Sequence, residues 1–273
     1  MKNEVVIEFS GGIDSLYAAH YLAGRYDRVH LLTFDKGYLH FLLKANRPNV
    51  ELLQSLHGKD KITHEIMDIR HLFQEMAVKS YKETSREFGK EAAWCMPCRA
   101  SMALASVIYA LEHDIPVFTD GANWEQAPDG KKILVTGDNF PEFLSMIREF
   151  AGRFHVKYLP VVYDLNTREE RRNELERLGA KIDFNSMNRT GKSPLDVFNP
   201  KFYSRVQPMC LSGYLVHWKR NLLKVPEDVT PEIITGALQP KMDTVAERLV
   251  REHLQSRGID PDELVARRKV QSA

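Results

Sequence analysis

Ser10-Gly11-Gly12-Ile13-Asp14-Ser15 gathers two hydroxyls, two glycines and a carboxylate directly after the apolar run Val5-Val6-Ile7-Glu8-Phe9. Without a Cβ, a glycine lets its amide approach an oxyanion and adopts dihedrals closed to other residues. A helical pattern follows, and the unpaired amides and dipole of a helix N-terminus attract phosphate. The segment predicts a pyrophosphate cradle. It is neither a Walker loop (Gly-x-x-x-x-Gly-Lys-Ser/Thr) nor the dinucleotide fingerprint Gly-x-Gly-x-x-Gly.

The second constellation is made of cysteines. Cys95-Met96-Pro97-Cys98 is a Cys-x-x-Cys that the pattern places directly before a helix, whose N-terminus would lower the thiolate pKa. The third, Cys210, stands in Gln207-Pro208-Met209-Cys210-Leu211-Ser212-Gly213. The three thiols of Cys95, Cys98 and Cys210 are expected to meet at one metal site. Three thiolates suit a cubane [4Fe-4S] cluster with one iron open, whereas structural zinc prefers four closed ligands. Zn2+ with His113 or His217 as fourth ligand, a redox pair, and three small buried residues are the alternatives.

Strand-like runs alternate with helical patterns through the first two thirds of the chain. Strands are expected at Val5–Phe9, Val29–Phe34, Ile62–Met67, Ile115–Thr119 and Tyr158–Tyr163. Helices are expected at Asp14–Ala23, Lys44–Leu56, Ala100–Leu111, Pro141–Arg153 and Thr167–Leu178. The last opens with the capping box Thr167-Arg168-Glu169-Glu170 and closes at Gly179. This alternation predicts an α/β fold with a doubly wound, mostly parallel sheet, whose ligands lie beyond the carboxyl ends of the strands. Three segments would share that crevice: Ser10–Ser15, Thr33-Phe34-Asp35 and Asp120-Gly121-Ala122-Asn123.

The six-residue loop resembles the SGGxDS loop of the PP-loop (N-type) ATP pyrophosphatase superfamily. Members cleave ATP between the α and β phosphates and attach AMP to a substrate oxygen. With the cysteines, the resemblance narrows to its iron–sulfur-dependent sulfur transferases, the tRNA 2-thiolation and nickel-pincer cofactor types. It covers most of residues 1–213 in outline, and its specific part is the loop and the cysteines. It implies a HUP-like ATP-binding domain over 1–182 and a smaller irregular and helical C-terminal region over 183–273, which carries Cys210. It implies ATP bound by Ser10, Gly11, Gly12, Ile13, Asp14, Ser15, Thr33, Phe34, Asp35, Gly121 and Asn123. Mg2+ is expected at Asp14, and Asp14, Ser15 and Asp120 are expected as catalytic residues. The expected function is an ATP-dependent sulfur transferase acting on a small-molecule or tRNA substrate with a separate sulfur donor, as a possible homodimer. The zinc-ribbon cysteines of several tRNA-thiolating relatives are missing, and Trp124-Glu125-Gln126 replaces an acidic pair. Two rivals are an ATP pyrophosphatase that uses ammonia or an amine, and an adenine-nucleotide-binding module that hydrolyses nothing.

The 273 residues carry a formal net charge of +1, which does not advertise a polyanion partner. The basic clusters Arg168, Arg171, Arg172, Arg177 and Arg267, Arg268, Lys269 read as solvated helix faces. Lys36 is balanced between a phosphate contact and a surface lysine. Arg99 could hold an anionic substrate or cap a charge. His64, His71 and His155 read as structural or surface residues, and Trp218, Lys219 and Arg220 as a helix edge. With no signal-peptide pattern and no long apolar run, the expectation is a cytoplasmic protein without a membrane segment.

Overall fold

The computed structural model describes residues 2–126, 139–182, 206–216 and 229–272. Of the irregular connection expected over Asp183–Val206, residues 183–205 lie outside them, as do His217, Trp218, Lys219 and Arg220.

β1 (Glu4–Glu8) forms because Val5 and Ile7 face one side of a sheet and Val6 the other, each 1% exposed or less. Burying such a side chain contributes about 1.5–3 kcal/mol. The chain continues through α1 (Ile13–Ala23), β2 (Arg28–Asp35), β3 (His40–Phe41), α2 (Arg47–His57) and β4 (Ile62–Asp68). Next come α3 (Arg70–Phe73), a π turn over Gln74–Val78, α4 (Tyr81–Phe88), α5 (Lys90–Glu112) and β5 (Val117–Thr119). Then follow α6 (Pro141–Arg153), β6 (Lys157–Tyr158), α7 (Arg168–Arg177), β7 (Met209–Cys210) and α8 (residues 211–216). The helices α9 (Pro231–Lys241), α10 (Glu247–Ser256) and α11 (Pro261–Ser272) complete the order.

The main sheet runs β4-β2-β1-β5-β6 with every pairing parallel. Strand order reverses between β1 and β5, and ligands of such sheets bind at that reversal, beyond the carboxyl ends. Val5, Ile7, Val29 and Leu31 pack with α1 on one face. Val6, Leu32 and Phe34 pack with α5, α6, α9 and α10 on the other. The sheet is therefore doubly wound.

Several boundaries differ from expectation. β6 holds only Lys157–Tyr158, because Pro160 has no amide and the Tyr163 amide turns back to its carbonyl. α5 begins at Lys90 rather than Ala100, so Cys95 and Cys98 lie inside a helix and not before it. Ala92, Ala93, Met96, Ala100, Ala103 and Leu104 continue one buried helical face. That packing outweighs the roughly 3 kcal/mol that Pro97 costs in a helix interior. By length and composition alone α5 could cross a membrane, yet 78% of its apolar window is buried within the protein. A two-stranded antiparallel ladder, β3 with β7, was not legible and pairs His40 with Cys210.

Candidate active site

The loop after β1 is shaped by its glycines. Gly11 has φ +80°, and a Cβ there would stand 2.4 Å from Cβ of Asn46 and 2.6 Å from the Val206 carbonyl oxygen. A Cβ on Gly12 would meet Gln207 Nε2 at 1.7 Å. Gly12 caps α1 without a side-chain bond. The Ser10 and Ser15 hydroxyls are 3.1 Å apart, and Ser15 donates to the Gly12 carbonyl at 3.3 Å. Ile13 opens the helix. Asn49 on α2 donates to the Gly11 carbonyl at 3.0 Å and to the Lys181 carbonyl at 2.9 Å. Asn46 donates to Thr33 Oγ1 at 2.7 Å, and its own Oδ1 is buried without a hydrogen bond.

Asp14 sits one residue inside α1. Arg171 Nη2 is 3.2 Å from its Oδ1 and Arg168 Nε is 3.5 Å from its Oδ2. Burial pushes the Asp14 carboxyl up, and the two guanidiniums oppose that shift. Oδ1 is buried and makes an ion pair but no aligned hydrogen bond. An acceptor left open in this way fits a hard cation held by one carboxylate and substrate phosphates. Arg171 is fully buried, which overturns its reading as part of a solvated face. Its planar guanidinium satisfies the Val162 and Leu165 carbonyls at 2.7 and 3.1 Å while reaching Asp14 and Glu125. Arg268 is likewise buried, on the Ile115 carbonyl and Asp114.

Across the strand-order reversal, the end of β5 closes on the loop. A Cβ on Gly121 would stand 2.9 Å from the Ser15 amide nitrogen, so only glycine fits this approach. Asp120 accepts from the Ala122 amide at 2.9 Å and the Tyr158 hydroxyl at 2.7 Å, and from Arg99. Arg99 also binds Glu8, whose carboxyl burial lifts to about 7 against the pull of the guanidinium. Arg99 thus caps charge here rather than standing ready for a substrate. The side chain of Asn123 is fully buried, and among the described residues neither of its amide atoms has a hydrogen bond. At the end of β2, Thr33 donates to the Phe9 carbonyl at 2.8 Å, Phe34 is core, and Asp35 accepts from the Gly37 amide at 2.8 Å. The three segments meet, but Thr33 and Phe34 are committed to the sheet.

The thiols form the neighbouring site. A Cβ on Gly213 would lie 3.0 Å from Cys210 Sγ and 3.9 Å from Cys95 Sγ. Lys36, the residue after β2, is only 2% exposed, and Cys98, Cys210 and Cys95 all act on its ammonium. Lys36 is therefore not a surface lysine, and its ammonium lies among the thiols. Burial pushes the Cys98 thiol up to about 11 and the Cys95 thiol up as well. The expected lowering by a helix N-terminus is absent because both cysteines lie inside α5. Among the described residues no three His, Cys, Asp or Glu side chains stand in ready metal-ligating geometry. The donor set itself, three soft sulfurs converging beside one ammonium, fits a thiolate-held cluster in kind. His113 cannot complete a zinc site: it follows the last turn of α5, roughly 22 Å along the helix from Cys98. His40, paired with Cys210, is nearer, and its Nδ1 is buried without a hydrogen bond.

The residues that sequence reasoning missed are Glu8, Asn46, Asn49 and Gln207. A signal existed for two of them. Asn46 and Asn49 share helical spacing with the buried Val50 and Leu53, and asparagine on a core-facing stripe invites the question of what it binds.

No protein-family model matches the chain. Among solved structures, a 4-thiouridine synthetase–RNA complex with bound ATP superposes with a TM-score of 0.50 at 16% identity, over 90% of this chain and 53% of that one. This chain therefore spans about half the length of that enzyme. A predicted subunit of tRNA methyltransferase from Methanocaldococcus jannaschii gives 0.40 at 14% identity, over 64% of this chain and 75% of that one. NMN synthetase from Francisella tularensis gives 0.37 at 14%, over 88% and 85%. The latter two are too distant to argue from. The first shares the α/β fold, which is the fold implied by the resemblance of Ser10–Ser15 to the PP-loop superfamily.

Proposed function

We propose that this chain is an ATP-dependent sulfur transferase of the PP-loop type. What supports the reading is one adjacency: three thiols from distant segments gather at the end of β2, beside the glycine loop at the end of β1. Segment 206–213 spans both, with Val206 and Gln207 against Gly11 and Gly12 and Cys210 among the thiols. Gln207 and Cys210 are three positions apart, so the two sites lie within roughly 10 Å along the chain.

In this reading Ser10, Gly11, Gly12, Ile13 and Ser15 receive the pyrophosphate of ATP at the α1 N-terminus. Asp14 would hold Mg2+, which supplies charge neutralisation for the departing pyrophosphate. Arg168 lies next to that carboxylate and adds positive charge on the same side. A substrate oxygen attacks the α-phosphorus, the bond to the β-phosphate oxygen breaks, and pyrophosphate leaves. The substrate oxygen is then bonded to AMP, a good leaving group, and a sulfur nucleophile displaces it. Asn123 and Asp120 are buried at the β5 side, and Asn123 is the candidate there to bind the substrate. Cys95, Cys98 and Cys210 would hold a [4Fe-4S] cluster, which when bound supplies a soft open position for inorganic sulfide. An RNA base is the first substrate to test, because the fold neighbour named above is a thiouridine synthetase bound to RNA; a small molecule is the second.

Anaerobic purification with iron, sulfide and zinc analysis, beside a pyrophosphate-release assay with ATP, tests the reading. About four irons per chain, lost in Cys98→Ser, together with ATP-dependent pyrophosphate release, is the expected result. Stoichiometric zinc without iron would sink sulfur transfer and favour an adenylating enzyme that uses an amine.

A further inference from the structure

Exposed apolar surface is concentrated beside the thiols. Of the eight large apolar side chains left exposed among the described residues, four are Tyr38, Leu39, Phe41 and Leu42. A fifth, Leu215, stands in α8, the helix that follows Cys210. Scattered singly such residues need no explanation, but a run of this kind does. The backbone there is costly as well. Tyr38, Leu39 and Leu42 have φ of +50°, +62° and +57°, the left-handed region that bulky side chains rarely adopt. Such a conformation persists where its surroundings hold it. The β3–β7 ladder does so here, with the Leu211 amide donating to the Leu39 carbonyl at 2.9 Å.

The ladder has two faces. His40 and Cys210 stand directly opposite each other, so their side chains share one face and the next pair turns to the other. Phe41, opposite Met209, therefore points away from the thiol side, and it is 44% exposed. Tyr38 instead sets its ring edge against Trp94, the residue before Cys95. The apolar surface thus begins at the thiol site and continues outside it. An occupant that reaches both must extend well beyond its reacting group, as a polymer does and a compact metabolite does not. Charge points the same way. From Gly37 to Arg47 the chain carries no acid and two exposed cations, Lys44 and Arg47, the latter paired with Glu51. Apolar and aromatic faces for bases, next to a cation for the backbone, are what single-stranded nucleic acid binds.

We propose that Tyr38–Leu42 is a stacking platform for the nucleotide that flanks the modified base, with Phe41 and Leu42 under that neighbour and Lys44 at a phosphate. This rests on the sulfur-transferase reading above and names its substrate class, single-stranded RNA rather than a small molecule. The target base enters on the thiol side of the ladder while its neighbour is held on the outer face.

Fluorescence anisotropy with a short labelled oligouridylate, and with an abasic ribose-phosphate oligomer of the same length, separates stacking from charge. Phe41→Ala is expected to bind the oligouridylate about tenfold more weakly, the loss of one stacked base, and the abasic oligomer as the parent does. Phe41→Tyr keeps the ring and is expected to stay within about threefold of the parent. Lys44→Gln is expected to weaken both oligomers alike and to lower the slope of log affinity against log salt by about 0.7. Should Phe41→Ala fail to fold, Leu42→Asn is held to its criterion, since asparagine tolerates the left-handed backbone there. Unchanged oligouridylate affinity in Phe41→Ala, or an equal loss for both oligomers, overturns the platform and leaves the sulfur-transferase reading standing. An unsubstituted protein that binds neither oligomer does the same and leaves a small molecule as the substrate. A dimer that Phe41→Ala turns into a monomer assigns this face to a second copy and also overturns it. An unsubstituted protein with neither iron nor pyrophosphate release overturns the reading itself, and the substrate assignment with it.

Discussion

Glu8 shows how a single side chain carries a pH signature into the fold. Its carboxyl is buried at the end of β1, with Ser106 donating to Oε1 at 3.3 Å and Arg99 shared with Asp120. Burial is the largest influence and raises it from 4.5 to about 7. Because the folded state keeps a proton that the unfolded chain has released, stability is full below about pH 4.5. It declines as pH rises through about 7. The decline is worth on the order of 3–4 kcal/mol in total. Glu8→Gln removes that titration while Arg99 keeps Asp120. Thermal unfolding between pH 5 and 8 should therefore be flatter in the variant than in the parent. Parallel curves would show that another group titrates in this window.

At the scale of elements, the helix that matters most to the site is α7. Thr167 accepts from the Glu170 amide at 3.2 Å, and the Glu170 carboxylate returns a bond to the Thr167 amide at 2.7 Å. Its far end closes with the Gly179 and Ala180 amides on the Glu176 and Leu175 carbonyls, with Gly179 at φ +85°. Both stops were legible, since capping residues act through local geometry that the sequence carries. What the helix aims was not legible: Arg168 and Arg171 read as solvent-facing until Asp14 and Glu125 were found beside them. Thr167→Ala should cost about 1 kcal/mol of stability. It should also weaken ATP binding severalfold, because the cap fixes the turn from which Arg168 reaches Asp14. Calorimetric unfolding and nucleotide titration on one sample separate the two effects. A stability loss with unchanged ATP affinity would confine α7 to a structural part.

The whole molecule explains which parts of the site a sequence can reveal. The loop Ser10–Ser15 and the alternation of strands and helices are local patterns, and they mark the carboxyl ends of β1, β2 and β5 where the segments meet. The surroundings of Lys36 depend on chain brought back from residue 210, and the helical setting of Cys95 and Cys98 depends on core packing that overrides a proline. Neither leaves a local trace. Strand order reverses between the paired strands β1 and β5, and above that seam Gly121 stands against Ser15. An added methyl would meet backbone at 2.9 Å, which cannot give way as a flexible side chain does. Gly121→Ala should therefore push the β5 loop off the α1 N-terminus, costing about 1–3 kcal/mol and most of the ATP affinity. Gly152, where a Cβ would have nothing within 4 Å, is the matched control. It sits on α6, so Gly152→Ala should leave ATP binding intact and, if anything, raise stability by about 0.5–1 kcal/mol. Equal ATP affinity in the two variants would mean that nucleotide binding does not require this close approach.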